Sequence, residues 1–405
     1  MDLDKEFKEW EQKQVFECME TKELNQYLIS ELEFLSKMDA QEYTLYRKWL
    51  EINNKYGLKE SKNPFFDVPQ IPAKITNVKD LMWIPESPED YSKIEPVLMW
   101  TMEHKKFNDV WTILRTFTST MINNSNIGRN LRFVVVDNVT GKYLGVICLS
   151  SDFMDLTPRD KYIGWSRDVK TKQKMINHTA IGSSIVPTQP LGFNYVGGKL
   201  IALLTLSDTC ENAWNERYGD KLIAVTTTSL YGSFSQYQNL TYWNKRGHSA
   251  GSIKFEPSKE TVMKMRMWLK CNRPKRYWEW YEAKNPSGMP LKRDHKQRSL
   301  SFIYKEFGID KKLIEAKHHR GIYFSILFKN SCEFLRKEIG EDVLVKRFDN
   351  STDSLSKIWK EKYAKKRLKN IMKDGRYNSE SLFYDDMLVM SWEETKNRYL
   401  KEVGR

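Results

Sequence analysis

The stretch RFVVVDNVTGKYLGVICLSS, Arg132 to Ser151, decides how the chain is read. Two runs rich in Val, Ile, Phe and Tyr flank DNVTG, a cluster of turn-forming residues, which is the pattern of a β-hairpin. Downstream, TAIGSSIVP (179–187) reads as a third strand. KLIAVTTTSLYG (221–232) reads as a fourth, rich in β-branched residues that suit a pleated surface. Between them, from about Gly198 to Arg217, Leu200, Ile201, Leu203, Leu204 and Trp214 mark the buried side of a helix. SQYQNLTYWNKRG (235–247) reads as a short helix ending at Gly247. Upstream, Val97, Leu98, Trp111, Leu114 and Phe117 predict a helix over 95–123. The order helix, hairpin, strand, helix, strand, helix describes an α/β core with a mixed sheet, spanning 95–256.

Working outward, residues 1–60 form an N-terminal helical segment. Phe7, Trp10, Phe16, Leu24, Tyr27, Leu28, Leu32 and Leu35 recur at helical spacing, followed by Tyr43, Tyr46, Trp49 and Leu50. Residues 61–94 read as a linker, because Pro64, Pro69 and Pro72 block regular helix. Residues 257–405 form a basic, mainly helical C-terminal region. Within it, LSKIWKEKYAKKRLKNIMKDGRY (355–377) holds nine Lys or Arg against two acids. Its Ile358, Trp359, Leu368 and Ile371 can face inward while the cations face out.

The chain's 405 residues exceed what one compact core accommodates, and 40% apolar residues suffice for a large interior. A net charge of +13 points to a polyanionic partner, most simply nucleic acid; the plainer alternative is a solvated basic surface. The five cysteines include no C-x-x-C pair, which argues against a local zinc knuckle and for a reducing compartment. The charged start MDLDKEFKEW predicts no secretory signal, and no apolar run is long enough for a bilayer, so a cytoplasmic protein without membrane partners is expected.

Chemistry concentrates at two places. NYVGGKL (194–200) puts two glycines at a helix start, where backbone N–H groups and the helix dipole favour an anion, with Lys199 adding charge. It is not a P-loop, since Phe193 and Leu200 occupy the positions that need Gly and Ser or Thr. A pyrophosphate-bearing cofactor such as acetyl-CoA stays open, as does the plainer reading that the glycines let a helix approach a sheet. YWNKRGHSAG (242–251) offers Tyr242 as a general acid, or as a core aromatic. His178, His248, His295, His318 and His319 lack ligand spacing, so no metal is expected, and no G-x-S-x-G elbow is present. Tyr277, Trp278, Trp280 and Tyr281 suit either base stacking or a buried helix face.

LTPRDKYIGWS (156–166) resembles a stretch of the DruA family of the Druantia anti-phage defence systems. INH (176–178), IVP (185–187), Asn194, WNERYG (214–219) and the W-x-x-x-G-x-x-x-G of Trp243, Gly247 and Gly251 follow in the family's order, so the resemblance covers roughly 131–252. Two acids that the family tends to carry after RYG are replaced by Thr226 and Leu230, and the approach to the Trp is altered to QYQNLTYW. The element order is also similar to the GNAT acyltransferase fold and to phage Mom-type enzymes that modify DNA bases.

That likeness implies a GNAT-like, DNA-modifying acyltransferase. Asn194, Gly197, Gly198 and Lys199 would hold acetyl-CoA or a related acyl-CoA, and Tyr242 would donate a proton. Arg159 and Lys161 would meet substrate phosphate, Trp165 would stack on a base, and Asp160 would orient an arginine or accept a proton. Equally open is a local Arg159–Asp160 pair with Tyr162 and Trp165 as anchors. Lys365, Lys366 and Arg367 would hold DNA. The alternative is a non-catalytic nucleic-acid-binding protein of defence or counter-defence on a degenerate scaffold, which the missing acids favour.

Overall fold

In the computed structural model the described residues are 3–14, 18–57, 71–122, 128–229, 235–249, 251–292 and 295–403. They fall into two compact units, Met1–Tyr43 with Ser252–His318, and Thr44–Gly251 with His319–Arg405.

The larger unit is built on a sheet of β1 (Pro96–Trp100), β2 (Asn130–Asp137), β3 (Tyr143–Ser151), β4 (Thr179–Pro187), β5 (Ala224–Ser229), β6 (Asn244–His248) and a late strand (Gly321–Ile326). Two short strands of the other unit, β7 (Ser252–Lys254) and β8 (Glu315–Lys317), precede that late strand, which is therefore β9. The sheet order is β1-β2-β3-β4-β5-β9-β6. Every neighbouring pair is antiparallel except β4–β5.

The β2–β3 hairpin closes where the sequence places it. Asp137 accepts hydrogen bonds from the Thr140 amide and hydroxyl at 3.2 and 2.6 Å, and Gly141 takes the left-handed conformation the turn needs. The parallel contact is brief: Thr179–Ile181 pair with Ala224–Thr226, after which β4 continues to Pro187 and the two strands part.

Both faces are covered. On one, the helix Phe107–Thr118 packs on Val134, Val146 and Cys148, with the Trp111 indole donating to the Ile147 carbonyl at 2.9 Å. On the other, the helix Gly197–Leu204 shares a core with Phe133, Ile147 and Leu149, and Gly145 leaves room for the Ile201 side chain. The α/β reading with a mixed sheet therefore holds.

Several element assignments differ from the sequence reading. Pro96–Trp100 alternates between buried and outward positions and forms β1, a period of two inside what reads as a helix. The predicted Gly198–Arg217 helix is two helices, Gly197–Leu204 and Asp208–Tyr218, with Ser207 capping the second through the Cys210 amide. Residues 235–243 turn rather than coil, and Asn244–His248 pairs with β9 as a strand.

The four consecutive segments are not the compact units either. Residues 319–405 belong to the sheet unit, because Leu355, Trp359 and Leu368 bury against its core. The supposed linker contains the helix Ala73–Asp80 with Ile75 and Val78 buried, while its Pro64 and Pro69 lie outside the described residues.

In the smaller unit, Leu24, Leu28, Leu32 and Leu35 of the helix Thr21–Ser36 are buried, as are Met265, Trp268 and Leu269 of Lys259–Asn272. Tyr277 and Trp278 are buried too, against Trp10 and Phe7 respectively, so the aromatic run PKRYWEWY is core rather than an open stacking platform at those two residues. Cys18 and Cys271 are joined as a disulfide, against the expectation of reduced cysteines throughout; folding brings together residues 253 positions apart. Among the described residues no helix is long and apolar enough to cross a membrane.

Candidate functional site

The glycine turn lies where β4 and β5 part. Val196 takes a left-handed conformation (φ 49°), closing the short helix Leu191–Tyr195 and opening Gly197–Leu204. Both glycines face protein. A Cβ on Gly197 would meet the Leu191 side chain at 2.6 Å, and one on Gly198 would run into the Gln236 amide.

Gln236 fills the parting itself: its Nε2 donates to the Ile185 carbonyl of β4 at 3.0 Å and to the Tyr237 hydroxyl at 2.9 Å. Thr227 of β5 donates to the Gly182 carbonyl across the same gap. Lys199 turns to this segment, donating to the carbonyls of Gln236 and Gln238 at 3.0 and 2.5 Å, and burial pushes its ammonium down to about 8. Asn194 is fully buried and forms a reciprocal pair with the Asn378 backbone, donating to its carbonyl at 2.6 Å and accepting from its amide at 3.2 Å. The four residues do come together, each engaged by other parts of the chain.

LTPRDKYIGWS is a capped helix. Pro158 stands in the first turn, where its missing N–H costs nothing, and Gly164 (φ 80°) ends Thr157–Ile163 in the left-handed region. Arg159 is fully buried beneath it. Its guanidinium meets Asp152 at 2.8 Å and Asp160 at 2.6 Å, donates to the Phe153 carbonyl, and lies over the Trp165 ring. Asp152, just past β3, also accepts from the Thr226 hydroxyl at 2.8 Å. Asp160 is shared with Lys170, which reaches Asp155 as well.

The structure thus forms the local Arg159–Asp160 pair. Trp165 donates its indole N–H to the Leu335 carbonyl at 2.6 Å and anchors the loop. Lys161 alone of the four nominated residues is exposed.

Tyr242 sits in the turn before β6 with φ 72°, its ring stacked on Phe348 at 3.7 Å. It therefore lies in a turn and not on the helix that the sequence reading predicts. Leu230 lies outside the described residues.

The basic helix is the exposed feature. Leu368 and Ile371 of Lys365–Lys373 are buried, while Lys365, Lys369 and Lys373, four residues apart, stand in one exposed row beside exposed Lys366. Arg367 instead turns inward, donating from Nε to the Phe193 carbonyl at 3.1 Å.

The other motif residues gather at the opposite end of the strands. His178 closes a turn into β4 and its Nδ1 lies 2.9 Å from the Lys221 carbonyl. Trp214 is fully buried, Gly219 ends its helix in the left-handed region, and Arg129 lies over Trp214 and Tyr218 while pairing with Asp220. INH and WNERYG thus build one structural corner. The model of the family described as "Druantia protein DruA" matches residues 85–337, more than half of the chain. The chain belongs to the DruA family. The match reaches beyond the motifs on both sides and takes in all nine strands of the described residues.

A curated DruA relative, the Druantia protein DruA of Escherichia coli (strain UMEA 4076-1), is 26% identical over 266 residues. That covers 62% of this chain and 63% of the relative, so just under two thirds of the curated DruA protein is spanned. No solved structure matches.

In this DruA chain, sequence reasoning missed Asp152, Lys170 and Gln236. An acid directly after an apolar strand was the available signal for Asp152. Nothing local marks Gln236, whose partners are set by where β4 and β5 part.

Proposed function

We propose that this DruA-family chain is a DNA-binding component of an anti-phage defence system, in which the α/β sheet serves as a scaffold without a CoA-dependent step. One observation carries the reading: the parting between β4 and β5 is filled by Gln236, on which Gly198 and Lys199 both bear. A pyrophosphate at the turn would need that volume and those donors, so the residues present do not fit it. The neutral Thr226, spent on Asp152 where the family tends to carry an acid, agrees.

The DNA side of the reading is supported by the net charge of +13 and by the exposed row Lys365, Lys369 and Lys373. Lysines presented this way neutralise backbone phosphates without reading sequence.

A second reading keeps the acyltransferase. It is favoured by the single parallel pair with the glycine turn between its strands, the crossover that the GNAT likeness calls for. Thermal unfolding with acetyl-CoA separates the two. An unchanged Tm supports the scaffold. A ligand-dependent rise that Gly198→Asp abolishes restores the acyltransferase and makes Gln236 a displaceable plug.

A further inference from the structure

A cleft of about 320 Å³ opens in the smaller unit between β7–β8 and the helix His295–Glu306. Its volume falls at the lower end of the range that small-ligand sites occupy, too small for a duplex and sufficient for one ring system with a phosphate. Phe255, Leu300, Ile309 and Ile314 make its walls mainly apolar. Tyr304 also lines it, and the hydroxyl buried behind that wall is anomalous. Tyr304 is only 8% exposed, and its hydroxyl has no hydrogen-bond partner among the described residues. A buried hydroxyl left unpaired is costly, so a ligand atom that pairs with it is favoured.

Charge at the mouth sets the ligand's sign. Two acids line the cleft, and both are engaged: Glu256 with Lys296 at 2.7 Å, and Glu315 with Lys311 and the Ser252 hydroxyl. Lys254 and Lys305 are exposed at the same cleft.

We infer that this cleft receives a single unpaired nucleotide, its base against the apolar walls with a polar edge on the Tyr304 hydroxyl, its phosphate toward Lys254 and Lys305. The inference rests on the DNA-binding reading and adds to it a preference for strands whose bases are exposed. A free mononucleotide carries the same chemistry, and the test separates the two sources.

The experiment is fluorescence anisotropy of labelled single-stranded oligothymidine with the full chain at low salt. Duplex of equal length, thymidine monophosphate and a fully abasic strand serve as comparators. The expected results are preference for the single strand and a loss of about 2–10-fold for Tyr304→Phe, one hydrogen bond's worth. Lys305→Glu should weaken binding further at low salt than at high salt. On the abasic strand Tyr304→Phe should match the wild type.

Competition by thymidine monophosphate, sensitive to Tyr304→Phe, would assign the cleft to the free nucleotide; its absence assigns it to the strand. If Lys365→Glu with Lys366→Glu weakens DNA binding but Tyr304→Phe and Lys305→Glu do not, this inference falls and the DNA-binding reading stands. If the wild type binds no nucleic acid and no mononucleotide, both fall.

Discussion

Arg159 holds two carboxylates on one guanidinium, and that arrangement fixes what its neighbours can do. Asp152 is fully enclosed, so removing the cation strands a buried charge, a change that costs about 3–5 kcal/mol. Arg159→Met should therefore lower stability by that amount in urea unfolding, and adding Asp152→Asn should recover much of it. Equal stability of Arg159→Met and wild type would mean the pair is not closed in solution.

Gly198 invites a similar cycle. Gly198→Ala drives a methyl into the Gln236 amide and should cost about 1–3 kcal/mol. With Gln236→Ala already in place the cost should shrink, since the clash has lost its partner. A full cost in both backgrounds would refute the packing described for the turn.

Lys48 makes a pH-dependent case. It is buried beside Glu51 and donates to the Met121 carbonyl, and burial pushes its ammonium down to about 7. Between about pH 7 and the ordinary lysine value near 10.4, the unfolded chain binds a proton that the folded chain has released. Stability from this group thus rises as pH rises through that window. Lys199, brought down to about 8, acts in the same direction. Urea midpoints taken from pH 7 to 9, below tyrosine titration, should climb in the wild type and climb less in Lys48→Met.

At the scale of elements, the helix Lys365–Lys373 separates surface charge from structural charge. Lys365→Glu with Lys366→Glu should weaken DNA binding nearly independently of sequence and lower the slope of log affinity against log salt by about 2. Arg367→Glu should instead reduce folding stability, because its guanidinium holds the Phe193 carbonyl. Both effects are read from the same anisotropy and melting curves.

The elements also show what could be seen beforehand. β2, β3 and β4 were legible because each is a run of apolar and β-branched residues bounded by turn chemistry. β1 was not, since Leu98 and Trp100 lie close to Trp111 and Leu114 in sequence and merge into one apparent helical pattern. β9, GIYFSI, follows AKHHR in a basic stretch and disappeared into a region read by its charge, although it forms the sheet's link between β5 and β6. Trp243 looked helical and instead anchors the turn into β6, its indole donating to the Ala202 carbonyl. At the site, Gly197 and Gly198 open a helix, as their spacing suggests, but they face Leu191 and Gln236 rather than the sheet. That Gln236 would occupy the space beside them depends on strand splay, which no local pattern encodes.

At the scale of the whole molecule, two units imply two unfolding events. The disulfide between Cys18 and Cys271 lies wholly within the smaller one. Its reduction, or Cys18→Ser, should lower that unit's stability by about 2–4 kcal/mol and leave the sheet unit's transition in place. Calorimetry with and without reductant reads this directly; a single transition that moves as one would contradict the division.

The strands β6 and β9 are adjacent and antiparallel, yet everything from Ser249 to Arg320 intervenes between them. In chain-path terms the sheet sees only a hairpin whose tip happens to be very large. A tip of this kind can change length while the register beneath it is preserved, so long as the part that packs with residues 1–43 is kept. That seam is where new sequence can be inserted with little disturbance to the sheet.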